Sequence, residues 1–251
     1  MTQMLASVTS VEEALLALEL GADIIDLKNP HDGALGALPL ATLASIVIAI
    51  DGRRTVSATI GDAPDDAVRI AQKVVATAAT GVDIVKIGIA TSRSQLAFWQ
   101  GKADLAGPRP ATGAGPEPAS TRLVAVLFAD EAFDLAWIDA LAERGFYGVM
   151  LDTADKHAGS LRAHCNDDQL LRFVRRAREN NLLCGLAGAL RVADISPLLA
   201  IAPDYLGFRG ALCRNNSRID QLDAAAFCAV RALIPTAAQN AALAPAIEPA
   251  A

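Results

Sequence analysis

Amine side chains are scarce in this chain, and their positions suggest a chemistry. Of 22 basic residues, 17 are arginine; only Lys28, Lys73, Lys86, Lys102 and Lys156 are lysine. Arginine keeps its proton in a protein, whereas lysine becomes a nucleophile once burial or a neighbouring cation lowers its pKa. Lys28 closes the apolar run Asp23-Ile24-Ile25-Asp26-Leu27-Lys28. Lys86 sits inside Ile84-Val85-Lys86-Ile87-Gly88, and Lys156 follows Leu151-Asp152-Thr153-Ala154-Asp155. Side chains alternate along a strand, so Asp26 and Lys28 share a face. Lys28–Asp26 and Lys156–Asp152 are each as compatible with a structural ion pair as with catalysis, because structural pairs also perturb pKa values. Three amines and two carboxylates at the ends of three separate runs favour a Schiff-base site instead. Mutually repelling ammonium groups there leave one amine neutral. Lys73 and Lys102 fall in a helix and a loop and read as solvated charges.

A second constellation follows near the C-terminus. Gly185-Leu186-Ala187-Gly188-Ala189 and Gly207-Phe208-Arg209-Gly210-Ala211 both end apolar runs in glycine. One such turn is weak, but two can aim the amides of Gly188, Ala189, Gly210 and Ala211 at an anion, with Arg209 adding a guanidinium. Arg214 and Arg218 stand in the next loop. His31 and His157 follow two of the lysine-bearing runs and stay outside the core set. Cys213 has no histidine near it in sequence, so a thiol nucleophile is not expected.

These residues need a scaffold that brings run ends together. Eight short apolar runs (residues 4–8, 22–28, 55–60, 83–89, 122–128, 148–153, 182–188 and 205–210) read as parallel strands buried on both faces. Helical patterns at 41–50, 63–80, 93–105, 131–144, 167–180, 192–201 and 219–233 fall between or after them. Another helix starts behind Ser10, with Glu13 placed for a capping box. Eight repeats predict a (β/α)₈ TIM barrel, an α/β fold whose active site lies at the C-terminal ends of its strands. Alternate strands feed one interior layer, so runs two, four and six can deliver the three lysines to one cavity. A doubly wound open sheet is the rival; no GxGxxG follows the first run to support it. Residues 1–235 are expected to form one barrel domain. The Gly/Ala/Pro-rich stretch 101–120 reads as a loop, and the Pro/Ala-rich residues 236–251 as a disordered tail.

Composition narrows the function class. With 53% apolar and 20% charged residues the chain can bury a large core. A net charge of −6 with no basic run argues against nucleic acid, and no apolar stretch is long enough to span a bilayer. Four cysteines scattered without a CxxC pair suit reduced thiols of a cytoplasmic protein. The three histidines share no ligand spacing, so no metal site is expected. The partner is then a small phosphorylated carbonyl compound, and a homo-oligomer is expected.

The same segments carry a resemblance. Gly21-Ala22-Asp23-Ile24-Ile25-Asp26-Leu27-Lys28-Asn29-Pro30, Val56-Ser57-Ala58-Thr59-Ile60-Gly61-Asp62 and Val82-Asp83-Ile84-Val85-Lys86-Ile87-Gly88 are similar to the (5-formylfuran-3-yl)methyl phosphate synthase family. Met150-Leu151-Asp152-Thr153-Ala154-Asp155-Lys156 and Gly207-Phe208-Arg209-Gly210-Ala211 extend it. The family is also called 4-(hydroxymethyl)-2-furancarboxaldehyde-phosphate synthase. The resemblance implies a TIM-barrel lyase without metal or organic cofactor. It condenses two molecules of glyceraldehyde 3-phosphate, with loss of phosphate and water, for methanofuran-type cofactor biosynthesis. It puts the Schiff base on Lys28, its neighbouring acid on Asp26, and further active-site groups on Lys86, Asp152 and Lys156. His31-Asp32 and His157-Ala158 depart from the family pattern. Another class I aldolase acting on a phosphosugar, or a non-catalytic phosphometabolite-binding barrel, remains open on the residues alone.

Overall fold

The computed structural model describes residues 1–61, 66–89, 99, 120–131 and 134–236. Eight parallel strands close into a barrel in sequence order: β1 Gln3–Val8, β2 Ile24–Leu27, β3 Thr55–Thr59, β4 Ile84–Gly88, β5 Arg122–Phe128, β6 Gly148–Asp152, β7 Leu183–Leu186 and β8 Tyr205–Phe208. Pairing of β1 with β8 makes the closure, with Met4 opposite Leu206. The open-sheet alternative is thereby excluded. Around the sheet stand α1 Val11–Glu19, α2 Leu40–Ile50, α3 Ala67–Ala78, α4 Ala136–Glu143, α5 Leu161–His164, α6 Asp167–Glu179, α7 Val192–Ile201 and α8 Ala224–Arg231. Among the described residues no helix is long and apolar enough to cross a membrane.

The strands are buried on both faces because they serve two cores. Ile25, Leu27, Val85, Ile87, Val149 and Leu151 point outward into the layer shared with the helices. Their alternate neighbours Leu5, Ile24, Ile84, Val124, Met150 and Tyr205 fill the barrel's lumen. Tyr205 lies across Gly185 so closely that a Cβ there would come within 2.1 Å of the ring. One side-chain period further along, the lumen changes character: Leu5 gives way to Ser7, Ile24 to Asp26, Ile84 to Lys86 and Met150 to Asp152. An apolar floor therefore supports a polar layer.

The loop after β2 folds back over this layer. Its Ala34 and Leu35 join the lumen core, and Leu35 takes the space that a side chain at Gly88 would need. The turn is held by the Asn29 amide donating to the Gly36 carbonyl (2.8 Å) and by Thr59 Oγ1 donating to the same oxygen (2.9 Å). Gly36 is required here, because a Cβ would lie 2.2 Å from the Asn29 oxygen.

Several element boundaries differ from the sequence reading. α8 begins at Ala224, not at 219, because Leu222 forms an antiparallel bridge with Cys213 and Asp223 caps the helix by accepting from the Ala226 amide. Ser10 caps α1, but the reciprocal half of the expected box is absent. The Glu13 carboxylate accepts from the Thr9 amide and hydroxyl and from Arg209 instead. A complete capping box occurs at Asn166 and Gln169, at the start of α6. The four-residue α5 was not anticipated. α3 starts at Ala67, capped by Asp66, and α4 at Ala136. All of the expected helix at 93–105 except Trp99, nearly all of the loop at 101–120 and residues 237–251 of the expected tail lie outside the described residues.

Candidate active site

The polar layer and the strand ends above it enclose a cavity of about 880 Å³ at the C-terminal mouth of the barrel. Lys28, Lys86 and Lys156 line it together with Asp26 and Asp152, so the three lysine-bearing strands do converge. The pairing, however, runs between strands. Lys86 Nζ sits 2.6 Å from Asp26 Oδ1, and Lys28 Nζ sits 3.6 Å from Asp152 Oδ2. Lys156 Nζ donates to Asp152 Oδ1 and to the Thr153 carbonyl. Asp26 and Lys28 share a face, but a two-residue step is about 7 Å along a strand. That places Lys28 a layer above Asp26 and leaves Asp26 to Lys86. The sequence pairing of Lys28 with Asp26 is thus replaced by Lys28–Asp152, while Lys156–Asp152 stands.

Register supplies what sequence spacing does not show. Ser7 and Ser57 stand opposite Asp26 on β1 and β3, and their hydroxyls donate to its two oxygens at 2.8 and 2.7 Å. With Lys86 this gives Asp26 three donors at 1% side-chain exposure. Its charge is fixed in place. Asp152 is held by Lys156, Lys28 and the Thr153 amide.

Electrostatics separates the roles. Burial pushes the Lys28 ammonium down to about 8; Asp152 opposes that shift, while Lys156 and Lys86 add to it by repulsion. Burial alone would raise the Asp152 carboxyl, but Lys156 and Lys28 outweigh it and hold the group well below the usual carboxylate range. The site therefore presents one amine poised near neutrality beside an anionic carboxylate.

The second constellation lies across the same cavity. Gly188 (φ 105°) and Ala189 (φ 45°) have left-handed backbone, and a Cβ on Gly188 would press within 2.9 Å of Thr153. Gly210 and Ala211 open a 3₁₀ turn, Gly210–Leu212. Among the described residues the amides of Gly188, Ala189, Gly210 and Ala211 donate to no protein acceptor, and all four residues line the cavity. Arg209 does not add the free guanidinium expected of it. Its Nε donates to the Arg218 carbonyl, and its terminal nitrogens to both Glu13 oxygens and to the Ser7 and Asp220 carbonyls. All five donors are engaged within the protein.

His31, His157 and Arg218 also line the cavity. Cys213 is buried, its thiol pushed up to about 11 by burial and donating to the Arg209 carbonyl at 3.2 Å. A thiolate nucleophile is disfavoured there.

In sequence, the chain is 41% identical to a putative (5-formylfuran-3-yl)methyl phosphate synthase of Methylorubrum extorquens over 223 residues, 89% of this chain and 87% of that protein. It is 34% identical to the (5-formylfuran-3-yl)methyl phosphate synthase of Methanopyrus kandleri, over 86% of this chain and 91% of that one. In structure it resembles a 3-hexulose-6-phosphate synthase with a TM-score of 0.62 at 21% identity, covering 93% of this chain and 100% of that one. A phosphoribosyl anthranilate isomerase from Thermus thermophilus gives 0.63 at 14% identity, covering 93% and 98%. At such identities the structural likeness shows the barrel alone. The profile of the 4-HFC-P synthase family matches residues 4–231, and the chain belongs to that family.

Proposed function

We propose that the protein is a Schiff-base lyase that condenses two molecules of glyceraldehyde 3-phosphate into (5-formylfuran-3-yl)methyl phosphate. One phosphate and water are lost, and the product serves methanofuran-type cofactor biosynthesis in the cytoplasm. The observation that carries this reading is Lys28: a mostly buried amine, its side chain 11% exposed, with its pKa near 8, facing a cavity and flanked by two lysines and two carboxylates.

The neutral Lys28 amine adds to the carbonyl carbon of the first triose phosphate, and the carbinolamine loses water to give an iminium. The iminium is the electron sink for removal of a proton from the adjacent carbon. Asp152 is the carboxylate best placed for proton transfers, because it touches Lys28 while Asp26 faces Ser7, Ser57 and Lys86. Asp26 then serves to hold Lys86 at the cavity floor. Lys86 and Lys156 stabilise the alkoxide and the departing phosphate. The amides of Gly188, Ala189, Gly210 and Ala211 take one substrate phosphate, as free amides beside glycine turns commonly do. Arg209 shapes that loop from behind through Glu13.

The test is glyceraldehyde 3-phosphate as sole substrate, with the furan aldehyde followed by ultraviolet absorbance and mass spectrometry. Borohydride added during turnover should inactivate the enzyme and place the added mass on the peptide containing Lys28. Lys28→Arg should abolish turnover, since arginine supplies no neutral amine. An adduct on Lys156, or turnover by Lys28→Arg, would show that the nucleophile is misassigned.

A further inference from the structure

The cavity is rich in cations, and most of them are already matched; Arg191, also on its lining, is exposed with no carboxylate partner among the described residues. Lys86 faces Asp26, Lys28 and Lys156 share Asp152, and Arg209 is closed on Glu13. Arg218 is different. It is half-buried in the cavity wall, and among the described residues its guanidinium makes one hydrogen bond, from Nη2 to the Gly33 carbonyl at 3.0 Å. No carboxylate pairs with it among the described residues. Burial lowers its pKa, and the charge of Asp152 works against that shift, so the guanidinium lies within the field of the catalytic carboxylate.

Its position is also informative. The Arg218 Cβ lies beside Gly210, only 3.9 Å from where a Cβ on that glycine would stand. From there the side chain reaches across the mouth to the loop after β2, so its charged end sits an arginine's length from the amide cradle. Most donors of this half-buried guanidinium are unmatched among the described residues, and its planar fork suits a phosphate bound through two oxygens. The chain as a whole is acidic, with a net charge of −6. A cavity in which cations exceed carboxylates therefore reflects local need, not composition.

We propose that Arg218 forms a second anion subsite, bridging the loops after β8 and β2, which takes the phosphate of the second triose phosphate. This rests on the condensation proposed above, since a reaction joining two phosphorylated substrates needs two such subsites. Arg218 then positions the second substrate's carbonyl over the enamine formed on Lys28.

Calorimetric titration of the full chain with inorganic phosphate at low ionic strength tests the subsite without turnover. Wild type should bind two phosphate ions per chain. Arg218→Gln should bind one, with the remaining affinity changed by less than ~2-fold, and Arg218→Lys should recover the second site about 10-fold weaker, as a point charge replaces a fork. Added phosphate should compete with glyceraldehyde 3-phosphate for the Arg218 site, which identifies the substrate ester as the natural occupant. In turnover, Arg218→Gln should still give the borohydride adduct on Lys28 but lose furan formation by ~100-fold or more. One phosphate in wild type, two in Arg218→Gln, or no competition by the triose phosphate would each overturn the subsite. Absence of the Lys28 adduct in wild type would instead sink the condensation, whatever the phosphate count.

Discussion

Two substitutions on opposite sides of Lys28 should move its pKa in opposite directions. With a pKa of about 8, roughly a tenth of the amine is neutral at pH 7, about 300-fold more than for an ordinary lysine at 10.5. Asp152→Asn removes an opposite charge 3.6 Å from the ammonium. At an effective dielectric of ~20 that contact is worth about 4–5 kcal/mol before relaxation. Allowing for water entry and movement of Lys156, a fall of about 1–2 pH units is expected. Lys86→Met removes a like charge and frees Asp26 from its partner. Both changes favour the ammonium, so the pKa should rise, by about one unit. The assay is the rate of adduct formation on the Lys28 peptide with glyceraldehyde 3-phosphate and cyanoborohydride, measured from pH 5 to 10. Relative to wild type, the rising limb should shift to lower pH in Asp152→Asn, even though turnover collapses for want of the base. It should shift to higher pH in Lys86→Met. Limbs that move together, or a wild-type limb near pH 10, would refute the view that burial and neighbouring charge tune this amine.

The same shift has a stability counterpart. Because the folded pKa of Lys28 lies below its unfolded value, the charged amine destabilises the fold below about pH 8, and that cost fades as pH rises toward 10.5. Lys28→Met should therefore raise the thermal midpoint at pH 7, by the equivalent of about 1–3 kcal/mol, with the gain shrinking at pH 10. For Glu13, burial would raise the carboxyl, but Arg209 and Thr9 hold it below its ordinary 4.5. Its contribution is present above that value and is lost as pH falls through the lower folded pKa. Glu13→Gln should cost about 3–5 kcal/mol in urea unfolding at pH 7, because Arg209 is left buried without its counter-charge. Prolonged EDTA treatment should leave furan formation intact, since an iminium is itself the electron sink; activity restored by a divalent ion would point to metal-assisted chemistry instead.

Much of the architecture was legible because buried parallel strands leave short apolar runs, and eight of them close a barrel. Lys28, Lys86 and Asp152 were legible for a related reason: a charged residue in or closing such a run has nowhere to go but the lumen or its mouth. What spacing does not encode is register. Ser7 and Ser57 look unremarkable until β1 and β3 flank β2 and bring their hydroxyls onto Asp26. The same holds for Arg209, where the position is readable but the partners lie at residues 7, 13, 218 and 220. Helix ends misled where a tertiary partner displaced the local one, as at Glu13, which accepts from Arg209, and at Leu222, whose amide donates to Glu13.

The Glu13–Arg209 pair also bears on the order in which the molecule assembles. It joins groups 196 residues apart, across the junction of the first and last strands. Closing so long a loop costs roughly 5 kcal/mol in chain entropy beyond a constant, so this contact cannot lead; it must follow the intervening strand pairings. During synthesis, Glu13 waits without a counter-ion until the chain has passed Arg209, and an open barrel carries an unmatched carboxylate along its seam. Stopping translation before the last strand would thus do more than remove that strand and its anion loop. It would leave the nascent barrel electrostatically disfavoured from closing in any shorter, seven-stranded form.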